Sequence, residues 1–271
     1  MSHSELPQGL AEARRLLIVA PHPDDEVVGC ALLLARARAR GCALSVLFLT
    51  HGEPAPAALW PWQRAAQPER VAARLGEAEK ALARLGATLA GPWPAWPTRQ
   101  LRHHLPEARA RLRAAIATSD PDAVLVPAFE GAHQDHDATH ALAATLTTDT
   151  PALWEYAAYS RGSGRPQSTT FFAPRGDETR LLPSPEEAAE KRALLGLYAS
   201  QRGNLAHIDT AGEHLRRFRP AADYGRPPHP PPLFWSRFHW VPFSHPRIDQ
   251  TPLAEVYPVL GAFVDDPRSR P

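Results

Sequence analysis

Residues 16–26 read Leu16-Leu17-Ile18-Val19-Ala20-Pro21-His22-Pro23-Asp24-Asp25-Glu26. Five apolar residues come first, with no polar residue between them. Such a run suits a strand covered on both faces, as in a parallel sheet. Proline closes it, and a histidine and three acids follow at its carboxyl end. Residues 26–40 then mix small and apolar residues with arginine, which predicts a helix, and Gly41 is a natural stop. A buried strand, a charged turn and a helix make the first half of a βαβ unit.

The pattern repeats outward from this unit. Residues 43–50 (ALSVLFLT) predict a second buried strand, and residues 69–85 a long helix capped by Gly86. A helix over 106–118, a strand over 123–127 (AVLVP), a helix over 137–147 and a fourth strand over 153–159 follow. Strands alternating with helices predict an α/β fold with a Rossmann-like, mostly parallel sheet and helices on both faces. Ligands of such folds sit at the carboxyl ends of the strands. Beyond Ser160 the pattern thins. Residues 161–166 (RGSGRP) and 174–185 look like loops around a short strand at 169–173. Residues 186–200 predict a helix. Residues 226–232 (RPPHPPP) predict an extended connector, because proline fixes φ and lacks a donor. Residues 234–240 resemble an edge strand. The expectation is a single domain over 1–271, with a core at about 14–200 and an irregular, Pro-rich C-terminal elaboration at about 201–271.

The chain has 271 residues, with 30 Lys and Arg against 29 Asp and Glu. That balance lacks the basic excess of a nucleic-acid binder. The 13 histidines favour metal chemistry, and two cysteines, Cys30 and Cys42, cannot build a disulfide framework. Residues 16–20 are too short for the apolar core of a signal peptide, and no window approaches the roughly 20 apolar residues of a membrane span. These features lead to the expectation of a soluble, cytoplasmic protein with no membrane insertion.

Two clusters carry the chemistry. In the first, His22 and Asp25 are three residues apart across a strand-to-helix turn and can converge on one ion, while Asp24 points elsewhere in the same pocket. Three adjacent acids repel one another unless a helix N-terminus or a divalent cation offsets them. Simple decoration of a helix N-terminus is the alternative. In the second cluster, His133-Gln134-Asp135-His136 follows the 123–127 strand and supplies a third ligand. Two histidines and a carboxylate, with a fourth position left to water, form the donor set of catalytic zinc. A polar surface loop is the plainer alternative. A pairing of His136 with His140 lacks the glutamate of the zincin motif. No G-x-G-x-x-G follows the first strand, which argues against a dinucleotide site.

The PHPDDE stretch with the downstream HxDH resembles the PIG-L/LmbE-like de-N-acetylases over roughly the first 160 residues. Leu49-Thr50-His51-Gly52-Glu53 resembles the family's LTxGE, Arg74-Leu75-Gly76-Glu77 its RxxE helix, and Lys191 to Gln201 a weaker element ending in SQ. The resemblance implies one Zn²⁺ per chain, with Fe²⁺ as a cellular alternative, held by His22, Asp25 and His136. It implies Asp24 as general base and His133 as the imidazolium that stabilises the oxyanion or protonates the leaving amine. It implies Asp135 as the neighbour that tunes or orients His133, and Arg74 as a substrate contact. The implied reaction removes an N-acyl group, usually acetyl, from an amino sugar or small glycoconjugate, in a protein open to homo-oligomerisation. Where family members often carry an aspartate before the third helix, this chain has Arg99.

The chemistry suits these roles. Zinc polarises an amide carbonyl and lowers the pKa of bound water toward about 7, a positioned base contributes about 10²–10⁴ in rate, and a histidine titrates in the range needed to protonate an amine. A metal-dependent hydrolase of another amide or ester bond, and a non-enzymatic metal- or sugar-binding module, remain alternatives. The tryptophans at 60–68 and the Trp93/Trp96 pair read as packing more readily than as sugar-stacking surfaces. His51 is equally a pocket residue or an ordinary loop residue.

Overall fold

The computed structural model describes residues 5–146, 151–161, 166–241 and 245–267. Every side chain from Leu16 to Ala20 is almost completely buried, as an unbroken apolar run requires of a central parallel strand. A short helix, α1 (Gln8–Ala11), precedes this strand, β1 (Arg15–Ala20). After β1 come α2 (Asp25–Ala39), β2 (Ala43–Phe48), α3 (Gln67–Leu85), β3 (Ala87–Leu89), α4 (Leu105–Ser119), β4 (Ala123–Pro127), α5 (Gln134–Ala144) and β5 (Ala152–Tyr156). β1 pairs in parallel with β2 and with β4; β3 and β5 extend the parallel sheet on either side.

The chain then makes a small hairpin, β6 (Tyr159–Arg161) with β7 (Pro166–Ser168). β8 (Thr179–Leu181), α6 (Pro185–Leu197), α7 (Arg202–Leu205) and β9 (Glu213–Arg217) follow, and α8 (Leu253–Asp265) is the last helix described. β9 and β8 add antiparallel strands at the β5 edge, giving the order β3-β2-β1-β4-β5-β9-β8. The chain leaves β1 in one direction to β2 and β3 and returns on its other side at β4. This reversal opens a crevice at the strand carboxyl ends.

The sheet divides two apolar cores. Leu16, Ile18 and Ala20 face the core shared with α2, α3 and α6, and Leu17 and Val19 face the one shared with α4, α5 and α8. α2 is enclosed on nearly every side. Lys191 of α6 donates to Glu213 Oε1 of β9 at 2.7 Å and to the Val28 carbonyl of α2 at 2.9 Å. Glu213 in turn accepts from the peptide N–H groups of Leu32 and Leu33 at 2.9 and 3.1 Å. One buried ion pair thus ties α2 to a helix and a strand from the second half of the chain.

Two expected strands are absent. Residues 169–173 run through bends, and Thr169 adopts a left-handed φ of 57° that ends the strand before it. Residues 234–240 form turns: Leu233, Phe234, Trp235 and Ser236 are buried in succession, where a strand would alternate. Ser236 Oγ accepts the Leu233 N–H at 2.9 Å and closes the bend. α5 begins three residues earlier than expected, because the His133 side chain caps it by accepting the Asp135 N–H. The expected end of that helix at residue 147 and most of the 161–166 loop lie outside the described residues. Residues 226–232 contain neither helix nor strand.

Candidate active site

After β1 the backbone turns sharply, and Asp24 takes a φ of 135°. A non-glycine residue in that region costs on the order of 1–3 kcal/mol and persists only where its surroundings hold it. Here several contacts do so. The Asp24 carbonyl accepts from Val27 and Val28 as the first bonds of α2, at 3.0 and 2.9 Å. Its N–H donates to Glu26 Oε2 at 3.0 Å, and the Tyr198 hydroxyl donates to the other oxygen of Glu26. Arg74 of α3 donates to Asp24 Oδ2 at 2.9 Å, to the Gly52 carbonyl at 2.7 Å and to the Pro23 carbonyl at 3.1 Å. Gly52 has a φ of 80°, and a Cβ there would sit 2.3 Å from the Arg74 guanidinium carbon, so glycine is required for this approach.

The start of α2 and the start of α5 face each other across the crevice. His22 Nδ1 and the His22 N–H each lie 3.0 Å from Asp25 Oδ2, and His136 Nε2 lies 3.2 Å from the same oxygen. His22, Asp25 and His136 therefore form one candidate ligand cluster; His22, His133 and Asp135 form another that shares His22. The first cluster fits a metal better. Both ring nitrogens of His136 are fully buried and lack a hydrogen-bond partner among the described residues, and the 3.2 Å approach to Asp25 is not aligned as a hydrogen bond. Buried polar atoms are rarely left so, and a cation answers one of them. In the second cluster the Asp135 carboxylate is already committed, to the Arg99 N–H at 2.6 Å, the Thr98 hydroxyl at 3.1 Å and the Leu101 N–H at 3.2 Å.

Burial sets the charges. It pushes the Asp24 carboxyl up to about 6 against the opposing pull of Arg74, and raises Glu26 to about 8. The paired carboxylates of Asp135 and Asp25 on the two ring nitrogens outweigh the burial of His22 and raise it to about 9. Burial, together with the positive charge on His22, holds His133 well below the ordinary histidine range. His133 Nδ1 accepts the Asp135 N–H at 3.1 Å, which leaves its proton on Nε2. The neutral ring, rather than the expected imidazolium, is favoured among these side chains.

Residues 17–147 match the model of the GlcNAc-PI de-N-acetylase family, PIG-L. The curated 1D-myo-inositol 2-acetamido-2-deoxy-alpha-D-glucopyranoside deacetylase of Rhodococcus erythropolis is 31% identical over 183 residues, 60% of this chain and 60% of that protein. The match thus spans about 60% of that relative's length. Among solved structures, a zinc-inhibited teicoplanin deacetylase aligns with a TM-score of 0.57 at 22% identity, over 77% of this chain and 99% of that one. The A40926 pseudoaglycone deacetylase gives 0.59 at 21% identity, over 78% and 99%. The N,N'-diacetylchitobiose deacetylase of Pyrococcus horikoshii gives 0.51 at 16% identity, over 80% and 87%. These likenesses bear out the α/β fold and its mostly parallel sheet.

The stretch that matches the PIG-L model holds both histidine clusters and one wall of a cavity of about 650 Å³. His22, Asp24, Asp25, Arg74 and His133 line it. Asp135 and His136 stand directly behind these residues, fully buried. All seven residues expected from the sequence therefore meet at one place. Arg74, expected as a substrate contact, has its donors on Asp24, Gly52 and Pro23, so its clearest contribution here is to hold Asp24. His140 lies apart, between Tyr224 at 2.8 Å and Glu155 at 3.1 Å. His51 does not line the cavity. Trp93 stacks on Phe48 and Trp96 on His104, whereas Trp60 reaches the cavity wall.

The opposite wall comes from beyond the PIG-L match. Tyr159, Gln201, His207, Phe234, Arg237 and Asp249 line it. Tyr159 covers His136 at a ring separation of 5.2 Å and meets Phe234 at 5.0 Å. Arg99, at the position that departs from the family pattern, ties the far wall down by donating to the Pro246 and Ile248 carbonyls at 3.0 and 3.3 Å. Thr98, whose hydroxyl lies 3.0 Å from His22 Nε2 and 3.4 Å from His133 Nε2, escaped sequence reasoning. Its only signal was its place beside Arg99.

Proposed function

We propose that this protein is a metal-dependent amide hydrolase that removes an N-acyl group, most simply N-acetyl, from an amino sugar or a small glycoconjugate. The observation that carries the proposal is the buried Asp24 carboxylate beside the His22–Asp25–His136 donor set, at the floor of an open cavity. The size of the cavity, about 650 Å³, falls within the roughly 300–1,000 Å³ of small-molecule sites. The names of the relatives, deacetylases of an inositol-linked glucosaminide and of chitobiose, point to the same bond and to the same substrate class.

Zn²⁺ is the ion that two histidines and one carboxylate suit best, with Fe²⁺ as the cellular alternative; bound there, it supplies Lewis acidity for the amide carbonyl and the attacking water. The rest falls to the chain. Asp24, held by Arg74 and raised by burial, accepts the proton of the attacking water. His133, with its proton on Nε2, donates a hydrogen bond to the oxyanion as the carbonyl becomes tetrahedral, and the proton that Asp24 took from water passes to the departing amine. Asp135 fixes the peptide around both histidines. Tyr159 and Phe234 limit water on the far side.

The test pairs metal analysis with release of free amine from N-acetylated amino sugars and their glycosides, before and after chelation. About one zinc per chain and chelator-sensitive amine release are expected. A protein that takes up no metal, or one whose amine release survives complete chelation, sinks the proposal.

A further inference from the structure

His22 is flanked by carboxylates on both ring nitrogens. Nδ1 faces Asp25 at 3.0 Å and Nε2 faces Asp135 at 3.0 Å. A histidine that binds a metal uses one nitrogen for the ion and donates the other N–H to an outer partner, which fixes the tautomer and makes the ligating nitrogen more basic. The two sides of His22 are not equivalent. On the Nδ1 side lie Asp25 and His136, and His136 has no hydrogen-bond partner among the described residues. On the Nε2 side lies Asp135, whose oxygens already accept from two peptide N–H groups and the Thr98 hydroxyl. The ion belongs on the first side and the N–H donor on the second.

From this geometry we infer that Asp135 is a positioning residue for the metal centre, acting through His22: it accepts the His22 Nε2–H and so commits Nδ1 to the ion. The inference rests on the ligand set proposed above. It differs from the role expected for Asp135 as a partner of His133. The carboxylate is 3.6 Å from His133 Nδ1, too far for a hydrogen bond, and that nitrogen already accepts the Asp135 peptide N–H. Asp135 thus holds His133 through its backbone and His22 through its side chain. Its carboxylate is kept in place by Arg99 and Leu101, on the segment that enters α4. Thr98 shares the same corner, its hydroxyl 3.0 Å from His22 Nε2 and 3.1 Å from Asp135 Oδ2.

Two measurements on the full chain test this. The first is zinc affinity, by competition with a chromophoric chelator, for the wild type and for Asp135→Asn. Oδ2 is the oxygen that Arg99, Thr98 and His22 share, so the amide oxygen stays there only as a neutral and weaker acceptor while the amide NH2 turns toward the Leu101 N–H; a thermal melt checks that the fold is kept. Loss of an outer partner of this kind weakens metal binding about 10–100-fold, and that is the expected drop. The second is the ring-nitrogen NMR spectrum of His22, assigned by its loss in His22→Gln and recorded with and without zinc. A proton on Nε2 in both samples, with its resonance shifted in Asp135→Asn as the carboxylate acceptor becomes a neutral amide, is expected. An Asp135→Asn protein that binds zinc as tightly as wild type, or a zinc-loaded His22 with its proton on Nδ1, overturns the inference. A wild type that binds no zinc sinks the ligand set instead, and the Nε2 proton of His22 still reports on its bond to Asp135.

Discussion

Replacing Lys191 by methionine removes the positive half of the ion pair that anchors α2. Lys191 and Glu213 are both completely buried, and their 2.7 Å contact has no solvent to soften its loss. Removing one member of such a pair strands the other charge, at a cost of about 3–5 kcal/mol. For a chain of this size each kcal/mol lowers the melting temperature by about 2–4 °C, so a fall of roughly 6–20 °C follows. pH gives a second handle. Burial raises the Glu213 carboxyl above its ordinary value, and Lys191 is what opposes that rise. Without Lys191 the carboxyl moves higher still. A carboxyl raised in the folded state favours folding at low pH and loses that contribution as pH climbs through its folded value. The deficit of Lys191→Met is therefore larger at pH 8 than at pH 5. Adding Glu213→Gln restores part of the stability, because no charge is left buried and the amide oxygen can still accept from the helix. Chemical unfolding followed by far-UV circular dichroism at both pH values measures all three proteins. A single variant within about 1 kcal/mol of wild type, or a deficit that grows toward acid, would refute the assignment of this pair as the clamp on α2.

Asp24→Asn should retain zinc and lose about 10²–10⁴ in turnover; a variant with near-normal amine release removes Asp24 as the base. His136→Ala should lose bound metal and activity together, and full metal occupancy by elemental analysis takes it out of the ligand set. Glu130 is buried and raised to about 7 from 4.5, so its contribution to stability is complete below about pH 4.5 and is lost as pH rises through 7. Glu130→Gln should therefore gain on the order of 2 kcal/mol over wild type between pH 5 and pH 8, and a pH-independent difference in unfolding free energy counts against this.

The sequence made the parallel half of the sheet legible because its strands are apolar on both faces. Leu16–Ala20 and Ala123–Pro127 have no polar side chain to hide. β9 was missed for the opposite reason. Its sequence, Glu213-His214-Leu215-Arg216-Arg217, looks like surface, yet Glu213 and Arg216 are buried charges neutralised by Lys191 and Glu155. Hydropathy cannot anticipate a partner that lies 22 residues or 61 residues away in the chain. The expected strand at 234–240 failed because aromatic residues in succession served a buried turn as well as they would an edge. The ligand cluster was legible because each half is local, at the exit of one strand. Thr98, Tyr159 and Phe234 come to it through tertiary packing, and no spacing rule points to them.

The cavity has two authors within one chain. Its floor, with the His22–Asp25–His136 cluster and Asp24, ends at His136, and its opposite wall is drawn from Tyr159 onward. On the proposed reading, recognition and bond-breaking are encoded largely on separate stretches. On the same reading, a combinatorial library confined to Arg237 and Phe238, which line the opposite wall, would change what enters while leaving the proposed donor set and Asp24 in place.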